Sequence, residues 1–382
     1  MMHKKKERKQ MNNNFMTFIL GILIIGLLGG MIFFGINIFV QMGMVYENQD
    51  VVNEEIQTAY IEKKEDISTP QVVEKKIDNV SDTFSSNVEY QSSASRTHYF
   101  YTQLDSYSKK IYDGLEANID NMKTGTHNIE FGDAFSSILS KEDGQNELGD
   151  YYQSAIEAFT YDNPEVFFLD PTKMFLNIQT TTKGNNKTYN VYIASAEGAN
   201  YLANGFYSKE QIEQCQAQIE QVKNEVMEGV SGNTENKIKY IHDYIVDNLS
   251  YDETISKDNI YNLYGALVNK ECVCEGYAKA LKYLLDEAGV DNVIVIGTGT
   301  NSKGQTENHA WNYVAIDGNW YAVDNTWDDP VIQGWGGGTS SKYKYKYYLK
   351  GSQTMEKDHI ANGQFTNGGK IFKYPVLSEA DY

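Results

Sequence analysis

The stretch CEGYAKALKYLLDEAG, residues 274–289, decides how this chain is interpreted. Apolar side chains recur at helical spacing along it, at Ala278, Leu281, Leu285 and Ala288. Gly289 suits the C-terminal end of a helix, so the helix begins near Cys274. Unpaired amide groups and the helix dipole favour a thiolate there. The pattern therefore predicts that Cys274 is a nucleophile with a lowered pKa, and that Gly276 leaves room for a substrate.

A hairpin follows in HAWNYVAIDGNWYAVDNTWDDP, residues 309–330, with Asp-Gly at its turn. Placing Asp-Gly at the turn centre sets Ile316 opposite Asn319. Because side chains alternate between the two faces, His309 and Asp324 then share one face as diagonal neighbours, about 7–8 Å apart at the backbone. A carboxylate reaches an imidazole across that gap. The sequence predicts a thiol at a helix start, a histidine on a strand and an aspartate on the next strand.

Acyl transfer through a thioester requires these three groups. Cys274 attacks a carbonyl carbon, His309 takes the thiol proton and later protonates the leaving amine, and Asp324 orients the imidazole. The mechanism needs no cofactor. The tryptophans also gather in this stretch, at Trp311, Trp320, Trp327 and Trp335. In one interpretation these tryptophans line an aromatic channel to the thiol, and in the other they pack in an ordinary hydrophobic core.

Three of these segments, CEGYAKALKYLL, HAWNYVAIDGNWYAVD and NTWDDP, resemble the transglutaminase-like superfamily. They are most similar to its bacterial branch, which includes transglutaminase/protease-like cytokinesis proteins, and the resemblance covers residues 232–348. It implies an α+β, papain-like fold in which a helix carrying the thiol packs on an antiparallel sheet. The nucleophile of the family maps to Cys274 and not Cys272, the histidine to His309 and the aspartate to Asp324.

Four further residues are candidates for the substrate channel or for support of the triad, namely Gly276, Trp311, Asn312 and Tyr251. The family position of Tyr251 implies a donor to the oxyanion, and packing is its alternative role. Cys272 is interpreted as a small apolar neighbour of Cys274, and His242 as a packing or capping histidine.

A metal site is not expected. A Cys-x-Cys pair lacks the two-residue spacing of zinc sites, and Asp328 and Asp329 lack the ligand ladder of a calcium loop. These two aspartates are interpreted as turn residues before Pro330.

The N-terminal region predicts a membrane anchor. Residues 15–36 form 22 uncharged, mostly apolar positions after a basic segment. They span roughly 33 Å as a helix, enough for a bilayer core. The positive flank favours a cytoplasmic N-terminus and an extracellular C-terminal domain in the cell membrane, with a single pass. A cleaved signal peptide is the alternative.

The predicted organisation has five parts. These are a cytoplasmic basic segment (1–14), a transmembrane anchor (15–40), a flexible tether (41–95), an accessory α+β domain (96–230) and a catalytic domain (231–382). Helices are predicted over 99–119, 148–159, 208–226 and 235–249, and strands over 166–168, 174–181, 189–193 and 292–297.

The amino-acid composition excludes two classes of protein. The chain has 382 residues with 33 Lys and Arg against 52 Asp and Glu, and its formal net charge of −19 argues against a nucleic-acid binder. Three cysteines exclude a disulfide-rich scaffold. Three functions stay open: a transamidase, a peptidase or amidase with the same thioester, and a non-catalytic binding module. The expected substrate is a protein, a peptide or a cell-wall peptide; neither its identity nor the oligomeric state is predicted.

Overall fold

The structure is a computed structural model that describes residues 98–183, 185–302, 304–329, 344–361 and 372–382. In these residues, helices pack on small, mainly antiparallel sheets. These residues all belong to one unit, Thr69–Tyr382. The predicted basic segment, anchor and tether lie outside them, as does Trp335. In the described ranges no helix has the length and apolar character needed to cross a membrane.

The first part of the described chain combines helices with a three-stranded sheet. Its elements are a 3₁₀ helix Tyr101–Gln103, α1 Ser106–Ala117, α2 Ile119–Met122, β1 Ile129–Gly132, α3 Ser136–Leu139, α4 Gly144–Asp162, β2 Phe175–Lys183 and β3 Asn186–Ala194. The strand order is β1-β3-β2, with antiparallel pairing throughout. The strands predicted over 174–181 and 189–193 are confirmed as β2 and β3, and β1 is a strand that the sequence analysis did not identify.

One predicted strand of this part is wrong. Residues 166–168 do not form a strand, because Pro164 opens a 3₁₀ helix that runs from Pro164 to Val166. Proline fixes a backbone angle that suits the first turn of a helix. The three apolar side chains are buried all the same, which explains their hydrophobic character.

Two long helices connect the first part to the second, and both begin at a side-chain cap. In α5, Lys209–Met227, the Ser208 side chain accepts from the Gln211 amide, as predicted. In α6, Thr234–Asn248, the Asn233 side chain accepts from the Asn236 amide. Two short strands follow, β4 Ser250–Tyr251 and β5 Glu271–Cys272, which pair in parallel.

The second part is built on a four-stranded antiparallel sheet. Its elements are α7 Cys274–Glu287, β6 Asn292–Thr300, β7 Thr306–Ile316, β8 Asn319–Val323, α8 Asn325–Asp328, α9 Ser352–Met355 and β9 His359–Ile360. The strand order is β8-β7-β6-β9. The predicted register is confirmed, since Ile316 pairs with Asn319 and Asn312 with Val323.

The turn between β7 and β8 explains this register. Asp317 and Gly318 have positive φ angles of 51° and 81°, as a two-residue hairpin turn requires. The prediction placed Asp324 within the second strand, whereas β8 ends at Val323. Asp324 instead caps α8, because its side chain accepts from the amides of Thr326 and Trp327.

The helix that carries Cys274 packs on this sheet. The side-chain amide of Asn312 on β7 donates to the carbonyl of Ala278 on α7 at 3.0 Å, and both groups are buried. This bond ties the thiol helix to the strand that carries His309. The expected arrangement of a helix on an antiparallel sheet is therefore present.

Candidate active site

Cys274 is the first residue of α7 and is 3% exposed. The N-cap residue before it, Val273, has an extended backbone and a side chain that cannot cap the helix. The amide of Ala310, the residue after His309, donates to the Cys274 sulfur and favours the thiolate. The thiol therefore lies against the strand segment that carries the histidine.

The prediction of a lowered thiol pKa is corrected by the structure. Burial raises the pKa of Cys274, and this effect outweighs both the Ala310 amide and the position at the helix start. Desolvation disfavours the charged form of a thiol. In the free protein the Cys274 thiol is therefore protonated at neutral pH, and a base has to remove its proton.

His309 and Asp324 form a buried hydrogen-bonded pair. The Nε2 atom of His309 lies 2.7 Å from Oδ2 of Asp324, and the two residues are 2% and 0% exposed. Asp324 reaches the imidazole from the turn that follows β8, one residue beyond the position where the strand ends. The two side chains are thus brought together as the hairpin register predicted.

The Asp324 carboxylate accepts four hydrogen bonds. Its Oδ1 accepts from the amides of Thr326 and Trp327 at 3.0 and 3.1 Å. Its Oδ2 accepts from His309 and, at 3.1 Å, from Nε2 of His359. Burial raises the pKa of this carboxyl, but the two imidazoles outweigh burial and hold the pKa well below its usual range.

His359 is a functional residue that the sequence analysis missed. It lies on β9, which pairs with β6 so that His359 is opposite Gly299. Its Nδ1 atom is 2.7 Å from Oδ1 of Asp358. A two-residue strand is too short to show an alternating pattern, and the adjacent Asp358-His359 is a weak signal. Only the fold places this histidine against Asp324.

Aromatic rings enclose the two histidines. Trp311 stacks on His309 with ring centres 5.8 Å apart, and its ring meets His359 edge-on at 5.0 Å. The ring of Trp327 lies 5.2 Å from His309 and 4.5 Å from His359. Both tryptophans are buried, so they fix the imidazoles in place. Trp320 lies apart, 6.4 Å from the ring of Tyr99.

Gly276 serves packing in this structure. A Cβ atom at Gly276 would lie 2.4 Å from Cβ of Cys272 and 3.0 Å from the carbonyl oxygen of Ile260. The interpretation that Gly276 makes room for a substrate is corrected by this contact. Cys272 is fully buried, as expected for a small apolar neighbour.

The remaining candidates occupy different positions. Asn312 is 1% exposed and binds the backbone of α7, which makes it a structural link between helix and sheet. Tyr251 is half-buried beside the thiol, and burial followed by the charge of an ionised Cys274 raises its pKa. Its hydroxyl is therefore protonated at neutral pH and keeps the hydrogen that an oxyanion donor needs.

Atoms of His309, Asp324 and His359 lie within 4.8 Å of one another, a spacing that a metal ion could also use. The structure gives each of these atoms a hydrogen bond within the group. We therefore interpret the three residues as a hydrogen-bonded cluster.

Another buried histidine, His242 on α6, lies at the other end of α8. Nε2 of His242 lies 3.1 Å from Asp328 and Nδ1 lies 3.2 Å from Asp243. His242 is thus an ion-pair partner and more than a packing residue. Asp329 accepts from the Tyr277 hydroxyl at 2.8 Å. The interpretation of Asp328 and Asp329 as simple turn residues is corrected, since both are buried and bonded.

A family profile and two curated proteins each match part of this chain in sequence. The sequence profile of the transglutaminase-like superfamily matches residues 220–325. Kyphoscoliosis peptidase of Mus musculus is 25% identical over 143 residues, which is 34% of this chain and 21% of that protein. The Homo sapiens protein of the same name is 24% identical over 139 residues, with the same coverage. The chain thus matches about a fifth of the length of these curated relatives.

Solved structures are similar to this chain only at low overall similarity. A TGase crystal structure shares 16% identity at a TM-score of 0.28, covering 47% of this chain and 50% of that chain. The periplasmic domain of TgpA from Pseudomonas aeruginosa, bound to ethylmercury, shares 13% identity at a TM-score of 0.24, covering 39% and 59%. By its profile match, residues 220–325 of this chain form a domain of the transglutaminase-like superfamily.

Proposed function

We propose that this chain is a thiol-dependent acyl-transfer enzyme that forms a thioester with an amide or peptide carbonyl. The observation that carries the proposal is the buried set in which Ala310 holds the Cys274 sulfur and Asp324 holds His309. A binding module has no need of a thiol beside a histidine–carboxylate pair. A chain with this set has the parts that nucleophilic catalysis requires.

The first step follows from the protonation states. Burial keeps the Cys274 thiol neutral, so His309 removes its proton as the sulfur attacks the carbonyl carbon. The bond to Asp324 uses Nε2 of His309, which leaves Nδ1 for this proton. The C–N bond then breaks, and the same proton passes from His309 to the departing amine. A thioester on Cys274 and a free amine or ammonia result.

The start of α7 stabilises the oxyanion in this proposal. Val273 offers no side-chain acceptor to the first amides of the helix, and N–H groups at a helix start suit a developing oxyanion. The Tyr251 hydroxyl, protonated and next to the thiol, is the second candidate donor.

The acceptor decides between the two enzymatic outcomes. An amine that attacks the thioester gives a transamidase, and water gives a peptidase or amidase. Both use His309 as the base for the second attack. The contacts of the triad are the same in either case, so the reaction products are the observation that separates them.

The test is product analysis on the full chain. We would incubate native protein and the Cys274→Ala variant with glutamine-containing and unmodified peptides, with and without a primary amine, and measure peptide masses. The native chain should give amine incorporation, deamidation or cleavage, and the variant none. Equal product from both proteins, or none from the native chain, would reject the enzyme and favour a binding module.

The proposal also includes the location of the protein at the cell membrane. We propose that residues 15–40 anchor the chain as a single pass, with the N-terminus cytoplasmic and the catalytic domain extracellular. The apolar run after a basic segment supports this. The substrates would then be surface proteins or cell-wall peptides, and membership of the bacterial cytokinesis-related branch stays a prediction. Protease accessibility of the C-terminal domain on intact cells would test the orientation.

A further inference from the structure

His359 shares the triad carboxylate with His309. Both imidazoles bond the same oxygen, Oδ2 of Asp324, at 2.7 and 3.1 Å, and their ring centres lie 5.5 Å apart. His359 is 3% exposed, so water does not screen this contact effectively. The acyl-transfer mechanism described above assigns no role to this second histidine.

The hydrogen bonds of His359 specify its charge. Nε2 faces Asp324, and Nδ1 faces Asp358 at 2.7 Å. An ionised carboxylate only accepts hydrogen bonds, so both nitrogens must carry hydrogen. Asp358 also accepts from the Tyr347 hydroxyl at 2.7 Å. An imidazole that donates from both nitrogens is an imidazolium.

We propose that His359 is a positioning residue, a buried imidazolium that holds the Asp324 carboxylate for His309 and offsets part of its negative charge. This inference rests on the proposed function of Cys274 and His309. The bridge holds Oδ2 of Asp324, while Oδ1 caps α8. It also makes a second positive charge on His309 less favourable, so His309 gives up its proton to the leaving amine more readily.

The charged surroundings agree with this assignment. Burial lowers the pKa of His359, but its bonds to Asp324 and Asp358 outweigh burial and raise the pKa. Among the residues that the structure describes, further titratable or charged groups near this cluster include His309, Asp328, Tyr347 and Lys346, with Glu275 and Glu307 near Cys274.

The test is the pH dependence of Cys274 alkylation in the full chain, which needs no substrate. Loss of a nearby positive charge makes every neighbouring proton harder to remove. In His359→Gln the acid-side midpoint of the rate should therefore move to higher pH, by about one to two units at this separation. In Asp358→Asn the imidazolium keeps its bond to Asp324 while a neighbouring negative charge is removed, so the midpoint should move to lower pH.

The chain offers a matched control. His242 is also bonded to two carboxylates, Asp243 and Asp328, but it does not share a carboxylate with His309. His242→Gln and Asp243→Asn should lower the melting temperature and leave the midpoint at its native value. A merely structural role for His359 would give this same result in its own variants.

Two outcomes would overturn the inference. One is an unchanged midpoint in folded His359→Gln and Asp358→Asn. The other is a neutral His359 at pH 7, read from its Cε1–H resonance in protein carrying ¹³C-labelled histidine. The resonance reports on His359 even if Cys274 does not react, so failure of the proposed function is distinguishable from failure of this inference.

Discussion

Asp324 connects the chemistry of the site to its local structure. One oxygen caps α8 and the other binds two imidazoles, and the residue is fully buried. Substitutions at this position therefore separate a structural from a catalytic contribution. Asparagine at this position preserves the cap of α8, because Asn is as good an N-cap as Asp.

We predict that Asp324→Asn lowers turnover by about 10³–10⁴-fold, since its NH₂ group faces the His309 nitrogen that normally donates. Its melting temperature should fall less than that of Asp324→Ala, which loses the cap and the carboxylate that two buried imidazoles share, at a cost of about 3 kcal/mol or more. Activity assays and thermal melts on both variants are the measurement. Near-native turnover in Asp324→Asn would remove Asp324 from the triad.

Stability should depend on pH through the Asp324–His359 pair. The pKa of Asp324 is depressed, so its contribution is present above its unfolded pKa of about 3.9 and is lost as pH falls. The pKa of His359 is raised, so its contribution is complete below about 6.5 and declines as pH rises through the folded value.

The difference in the free energy of unfolding between the native protein and His359→Gln should therefore be largest between about pH 4 and 6.5 and smaller on either side. Denaturant titrations at a series of pH values measure this difference. A difference that stays constant from pH 3 to pH 9 would show that neither charge contributes to folding stability.

At the scale of elements, the hairpin was the part of the site that the sequence could specify. Asp317 and Gly318 fix a two-residue turn, and alternation then determines which side chains share a face. The position of Asp324 beyond the strand could not be predicted, because its own side chain ends β8 by capping α8.

Other parts of the fold depend on tertiary contacts. The pKa of Cys274 was predicted from its position at a helix start, but burial by the surrounding fold decides its direction. His359 lies on a strand of two residues that exists only because it pairs with β6. Local patterns do not report either effect.

The close packing of α7 against β5 gives a further prediction. Gly276→Ala would place a Cβ atom 2.4 Å from Cβ of Cys272, so the start of the thiol helix must shift. We expect a loss of about 1–3 kcal/mol in stability together with slower alkylation of Cys274. Gly289→Ala, in the turn after α7, is the control for a glycine with open space around it, although its positive φ of 71° adds some strain.

Adding Cys272→Gly should restore part of the reactivity lost in Gly276→Ala, because it removes the atom in closest contact. Denaturant unfolding and alkylation rates of the single and double variants are the measurement. Native stability and native alkylation of Gly276→Ala would show that the start of α7 does not depend on this close packing.

At the scale of the whole molecule, the two predicted domains share a buried boundary within one unit. Phe100 packs on Phe372 with ring centres 5.1 Å apart, and Phe167 stacks on Tyr264 at 6.0 Å. The Asn262 side chain donates to the carbonyl of Phe167 at 3.2 Å. These contacts show that the first part of the described chain supports the packing of the second part.

Deletion of residues 96–230 should consequently abolish cooperative unfolding, because apolar surface on the catalytic side loses its cover. Phe167→Ala is the milder test and should cost about 3–5 kcal/mol. Circular dichroism melts would measure both, with Tyr207→Ala as an exposed aromatic control. A deleted protein that folds and turns over normally would show that the accessory region is dispensable.

The most direct test of the account is the rate of cysteine alkylation against pH, with peptide mapping of the modified residue. We predict that Cys274 reacts faster than Cys215 and Cys272, that Cys272→Ala preserves this reactivity, and that His309→Ala removes it. His309 then acts as the base for a buried thiol. If Cys274 reacts no faster than the other two cysteines, and equally in His309→Ala, the catalytic assignment is wrong.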